Sequence, residues 1–92
     1  AIGAVDELNS CIGALLAEDL PHNVRACLDQ VQHDLFDLGG ELSVPGHPAM
    51  DAAHAARLER ALEDFNAALP PLRDFILPAG TRAASQAHVC RT

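Results

Sequence analysis

Ninety-two residues, 49% hydrophobic and 21% charged, describe one globular domain at most; the composition excludes a disordered chain, and no apolar run approaches the ~20 residues a membrane span needs. The net charge is −7 and all six basic residues are scattered arginines, with lysine absent, so no basic stripe exists to release counterions from a nucleic acid. The same acidity repels free polyphosphate, so a bound nucleotide would rest on a few placed arginines.

A chain of this size buries only about 60–65% of its unfolded surface, which suits help from a partner subunit. Cys11, Cys27 and Cys90 are odd in number and form no CxxC, so three buried free thiols in a reducing cytoplasm are expected rather than a disulfide framework. The stretch from Ala1 to Ala17 has Asp6 and Glu7 early and no basic start, unlike a secretory signal. Ala1 is not methionine, and His88-Val-Cys-Arg-Thr92 reads as the middle of a helix, so the sequence is expected to be a piece of a longer one.

The first helix is predicted from about Ala4 to Glu18, where Val5, Leu8, Ile12, Leu15 and Leu16 recur at three- and four-residue steps. Gly3 and Gly13 weaken it in isolation, and a glycine inside a helix suits close packing against a neighbour. Asp19-Leu-Pro21 breaks the chain, with Asp19 or Asn23 as candidate caps and Pro21 suited to the next helix's first turn. The second helix is predicted from about His22 to Glu41. Its seam is Val24, Leu28, Val31, Leu35, Leu38 and Leu42, and Pro45-Gly-His-Pro48 stops it.

The third helix is predicted from the N-cap Asp51 to about Leu69, with a stripe of Ala55, Leu58, Leu62, Phe65 and Leu69. Arg57, Glu59, Arg60, Glu63 and Asp64 lie off that stripe and are expected in solvent. Pro70-Pro71 ends it. Leu72 to Pro78 has no strand-like partner elsewhere and is expected as an extended, buried loop. Thr81 is the expected N-cap of a fourth helix with Ala84, Ala87, His88 and Arg91 along one side. The sum is an all-α antiparallel helical bundle in a single domain spanning 1–92.

Chemistry is harder to see. The histidines His22, His33, His47, His54 and His88 form no HExxH and no Glu-x-x-His pair, and Asp29 with His33 at i,i+4 gathers no further ligand, so no metal site is expected. Ser10, Ser43 and Ser85 have no glycine elbow, and no phosphate-binding glycine loop is present. Two patterns are odd for a plain bundle. Val5-Asp-Glu-Leu-Asn-Ser10 places Asp6 beside an apolar stripe, with Asn9 one turn on; it reads either as a solvated helix edge or as a polar cluster that needs partners. Asp74-Phe-Ile-Leu-Pro-Ala-Gly80 reads either as a packed connector or as a loop that presents a helix N-terminus to an anion.

Taken together, these segments resemble a known family. Ala4-Val-Asp-Glu-Leu-Asn-Ser10 with Ile12-Gly13 resembles the VDELNS-x-IG segment of PduO-type ATP:cob(I)alamin adenosyltransferases. Val31-Gln-His-Asp-Leu-Phe-Asp-Leu-Gly39, then Glu41-Leu42 and Pro45, resembles the IQ-x-DLFDLG-x-EL stretch; Phe75-Ile-Leu-Pro-x-Gly80, then Ala84 and His88-Val-Cys-Arg91, resembles FILPGGS…ALH-x-x-R. The three blocks stand in the family's order.

The resemblance implies four helices of a five-helix bundle, assembled as a homotrimer with active sites between subunits. It implies transfer of the 5′-deoxyadenosyl group of ATP, with Mg2+, to the cobalt of cob(I)alamin, with release of triphosphate. A reductase or a corrinoid-dependent enzyme is an implied partner; nucleic acid and membrane are not. Phe75 matches the phenylalanine of an apolar wall that displaces the lower axial ligand and makes four-coordinate Co(II) easier to reduce. Asp6 matches the acidic residue paired across the interface with the arginine that Arg91 matches, and Asn9 belongs to that polar cluster. Ala79 stands where the family has glycine, Gly40 at a usual small residue, and Ile2 where an aromatic is common, while Gly46 to Met50 carries no family signature. The family's Gly/Thr-rich phosphate-wrapping segment and its Arg-Arg-Ala-Glu-Arg run lie outside positions 1–92, so these residues alone are expected to bind ATP poorly. Two other readings stand beside this one. One is a non-catalytic corrinoid-binding or trimer-forming remnant without the ATP segments; the other is a helical scaffold without a ligand.

Overall fold

The computed structural model describes residues 2–44, 46, 48 and 50–92. It contains four helices and, among the described residues, no strand: α1 (Ile2–Leu16), α2 (His22–Ser43), α3 (Ala52–Ala67) and α4 (Arg82–Arg91). Helix α1 is central and packs against both α2 and α4. The centre of that packing is small. Ile12 and Leu15, each 5% exposed, are the buried apolar residues, flanked by half-buried Val5, Leu8 and Leu16 from the same predicted stripe. On α2 the predicted seam also faces inward, with Val24, Leu28, Val31, Leu35 and Leu38 half-buried and only Leu42 exposed.

Polar groups fix the register of α1 on α2. Asn9 Nδ2 donates to the Gln32 carbonyl at 3.2 Å, and Gln32 Nε2 donates back to the Asn9 carbonyl at 3.2 Å. Gly13 makes room for this exchange, because a Cβ there would lie 3.2 Å from Gln32 Nε2. The turn between the helices is held by Arg25, whose Nη1 donates to the Leu16 carbonyl at 2.6 Å and Nη2 to the Glu18 carbonyl at 2.7 Å. A cation on the last carbonyls of α1 also complements its dipole. Neither Asp19 nor Asn23 caps α2: Pro21 occupies the N-cap position without a side-chain cap, and Asn23 Oδ1 accepts from the adjacent Val24 N–H at 3.0 Å. At the other end, Pro45 and His47 of the predicted helix stop lie outside the described residues.

Helix α3 begins as expected. Asp51 Oδ1 accepts from Ala53 N–H at 2.9 Å, and the Asp51 N–H donates to His54 Nδ1 at 3.1 Å, closing a capping box. Its orientation corrects the sequence reading. Ala55, Leu58, Leu62 and Leu69 of the predicted core stripe are exposed, and Phe65 alone is half-buried. The face turned inward carries His54, Arg57, Ala61 and Phe65. Arg57, expected in solvent, forms an ion pair with Asp34 of α2. A charged partner on α2, rather than leucine packing, decides which way α3 turns.

The connector is a second correction. Residues 70–81 are exposed throughout, so Leu72 to Pro78 is not a buried loop, because among the described residues no other element crosses over it. Gly80 takes φ +141°, a conformation that L side chains avoid, and leads into α4. There the Thr81 hydroxyl accepts from Ala84 N–H at 3.1 Å, as expected of the cap. Along α4, Ala84 and His88 are half-buried while Ala87 and Arg91 are exposed.

Candidate functional site

Asp6, Arg91 and Phe75, the candidate catalytic residues by resemblance, lie on separate surfaces of the chain. Asp6 and Asn9 share a groove of about 400 Å³ between α1 and α2. Val5 walls it from α1, Leu35 and Phe36 from α2, and Gly39-Gly40 leaves its floor without side chains. Asp6 is exposed and Phe36 is 77% exposed at the rim. Asn9 holds the most telling atom. Its amide nitrogen and its backbone are engaged with Gln32, but its side-chain carbonyl Oδ1 is buried and has no hydrogen-bond partner among the described residues. A buried acceptor left without a donor costs about 1–3 kcal/mol, so this oxygen can take a donor that enters the groove.

Arg91, at the end of α4, stands against another face of α1. It lines a groove of about 380 Å³ with Glu7, Leu8 and Cys11, and among the described residues no ion pair joins it to Asp6. Phe75 is fully exposed on the connector, against Leu72, Arg73 and Asp74. The chain therefore brings Asp6 to Asn9 but brings neither Phe75 nor Arg91 to them.

The helix N-terminus after the connector is occupied from within. Thr81 caps it, and Arg82 is tied to Glu18 Oε1 through Nε at 3.2 Å and Nη2 at 3.1 Å, which also pins α4 to the end of α1. The thiols are half-buried rather than buried. Cys90 lies beside Cys11 across the α1–α4 contact, and burial first, with that neighbour second, pushes the Cys90 thiol above its ordinary value. His33 is satisfied by the Asp29 carbonyl at 2.8 Å from Nδ1.

Sequence reasoning missed one constellation. Asp34 is 6% exposed, the one buried charged side chain among the described residues. Gln30 Nε2 donates to its Oδ1 at 3.2 Å, His54 Nε2 lies 3.8 Å from Oδ1, and the Arg57 guanidinium pairs with Oδ2. The signal was present: Asp34 stands three residues after Val31 and four before Leu38, on the apolar seam itself. A carboxylate there requires partners.

Comparison with known proteins gives one consistent picture. The family model described as cobalamin adenosyltransferase matches residues 1–92. The chain is 62% identical to a cobalamin adenosyltransferase of Cupriavidus metallidurans, covering 100% of this chain and 50% of that protein. It is 41% identical to a corrinoid adenosyltransferase of Mycobacterium tuberculosis, covering 95% of this chain and 49% of that one. Among solved structures it superposes, with a TM-score of 0.84 and 30% identity, on a variant PduO-type ATP:corrinoid adenosyltransferase from Lactobacillus reuteri complexed with cobalamin and ATP; 98% of this chain and 54% of that chain are covered. The chain thus spans about half the length of the curated relatives it matches.

Proposed function

The chain belongs to the cobalamin adenosyltransferase family, and from that premise we propose that, within a longer protein, it transfers the 5′-deoxyadenosyl group of ATP to the cobalt of cob(I)alamin. Residues 1–92 would form part of one helical-bundle domain. In the reaction Co(I) supplies the electron pair, the Co–C5′ bond forms, and the C5′–O bond breaks as triphosphate leaves. The metal centre is itself the nucleophile, so no protein base is required. The protein's work is to position ATP, which carries Mg2+, and to shape the cobalt's surroundings.

Phe75 is the residue proposed for the second task. A fully exposed phenylalanine on a proline-bounded connector is poised to cover an apolar ligand face and to exclude water from the axial position. Asp6, Asn9 and Arg91 are proposed to meet across a subunit interface. The unpartnered Asn9 Oδ1 carries this reading, with Asp6 beside it in a groove that Arg91 of the same chain does not enter. A homotrimer supplies that arginine from a neighbour, and exposed Phe36, Leu62, Leu72, Ile76 and Leu77 offer apolar surface for assembly and ligand together. The six scattered arginines offer no phosphate cradle here, so the polyphosphate grip falls to other parts of the longer protein. No described helix is long and apolar enough to cross a membrane; the proposed setting is the cytoplasm, with a reductase or a corrinoid-dependent enzyme as electron source or recipient.

The test is direct. Full-length protein, ATP and reduced cobalamin are expected to give the adenosylcobalamin spectrum; its absence from a folded full-length protein overturns the reading. Phe75→Ala is expected to slow reaction starting from cob(II)alamin at least about tenfold, or about 1.4 kcal/mol of barrier, while substrate binding changes less. An unchanged rate removes Phe75 from the mechanism.

A further inference from the structure

We propose that Asp34 is a positioning residue for Phe75: it latches α3, and with α3 the segment that carries Phe75, onto the α1–α2 pair. The proposal rests on the functional reading above only for what Phe75 does; the latch itself is a matter of geometry.

Among the described residues, every hydrogen bond and ion pair that joins α3 to another element ends on Asp34. Apolar packing offers little alternative, because Leu58 and Leu62 face away from the rest of the chain. The two α3 side chains that reach Asp34 are themselves oriented. His54 Nδ1 lies 3.1 Å from both the backbone nitrogen and the Oδ1 of Asp51, which orients the ring so that Nε2 faces Asp34 Oδ1 at 3.8 Å. Arg57, one turn along, takes Oδ2. Gln30 holds Oδ1 from the α2 side at 3.2 Å. The carboxylate is therefore approached from two helices, with Oδ1 hydrogen-bonded to Gln30 and Oδ2 ion-paired with Arg57.

The connection from latch to Phe75 runs through the end of α3 and two prolines. Helix α3 ends at Ala67, Pro70 and Pro71 restrict the chain that follows, and Phe75 comes four residues later. A change in the tilt of α3 therefore displaces the start of this segment, and Phe75 with it. Ion pairs with a buried carboxylate add little net stability; the role proposed for this one is to select one geometry over its neighbours. Here the geometry selected is the direction in which the Phe75 segment leaves α3.

The experiment uses the full-length protein and two variants, Asp34→Asn and the gentler Arg57→Gln, in case the first fails to fold. Hydrogen-exchange mass spectrometry is expected to show faster exchange in residues 52–78 and unchanged exchange in α1 and α2. In the enzyme assay, reaction from cob(II)alamin is expected to slow at least about tenfold, with the KM for ATP within about twofold and a smaller yield of the four-coordinate Co(II) spectrum. The same substitution placed in a Phe75→Ala background is expected to add little, because both changes act on one element. Unchanged exchange in α3 and the connector overturns the latch. So does an Asp34→Asn loss that persists in full without Phe75, or one carried by ATP affinity. If the wild-type protein makes no adenosylcobalamin, the functional reading fails, and the exchange experiment still decides the latch.

Discussion

The α1–α2 pair and the stretch from α3 through the connector hold similar shares of leucine and phenylalanine, yet they are stabilised by different means. In the first, Ile12 and Leu15 are buried, five positions of the α2 seam lie half-buried, and Arg25 and the Asn9–Gln32 exchange tie backbone to side chain. In the second, Leu62 is 60% exposed, Leu69, Leu72 and Leu77 also face solvent, and a single carboxylate on α2 holds the helix. Equal hydrophobicity has produced a packed pair in one place and an open apolar surface in the other. The difference lies in whether a second element of the same chain lies opposite. Where none does, the apolar residues remain available to a ligand or another subunit.

Substitutions can break or sharpen this contrast. The largest effect is expected for Ile12→Ala, which empties a buried position and should cost about 2–5 kcal/mol in chemical denaturation. A loss under about 1 kcal/mol would mean that the α1–α2 pair is no better packed than α3. Next comes Arg25→Ala, which removes two charge-assisted bonds to the α1 terminus and should cost about 1.5–3 kcal/mol. Leu62→Ala should change the stability of the 92-residue chain by no more than about 0.5 kcal/mol. A much larger loss at Leu62 in the full-length assembly would show that a partner covers α3, sharpening the contrast into an interface.

The smallest effect concerns the start of α3. The Ala53 N–H first, and the His54 side chain second, hold the Asp51 carboxyl below its ordinary 3.8. A lowered folded value means that the cap's contribution is fully present above the unfolded value and fades as pH falls through the folded one. Acid titration of helicity is therefore expected to show a loss beginning near pH 3.8 that Asp51→Asn, which keeps the capping acceptor, lacks. Identical acid limbs for the two proteins would remove the carboxylate from the account of how α3 starts.

Local chemistry made the helices readable. Pro21, Asp51, Pro70-Pro71 and Thr81 mark boundaries through backbone geometry and capping, and those marks lie within a few residues of the observed ends. The α1 stripe was readable because its partner, the α2 seam, is in the same chain. The orientation of α3 was not, because periodicity assumes that a leucine stripe faces inward, whereas the Arg57–Asp34 pair turns a different face to α2. The connector differs from expectation for the same reason: its apolar residues imply an interior that the described residues do not provide. At the site, Asp6 and Asn9 were legible as a pair on adjacent turns. Their relation to Arg91 and Phe75 was legible only through resemblance, since those residues stand on separate surfaces.

Gly13 has a consequence for how this sequence can change over time. An alanine there would press on Gln32 Nε2, and that atom cannot retreat without giving up the Asn9 carbonyl. Positions 13 and 32 are thus coupled, whereas position 9 enters through its backbone carbonyl, which any residue supplies. A larger residue at 13 is accommodated most easily alongside a shorter side chain at 32.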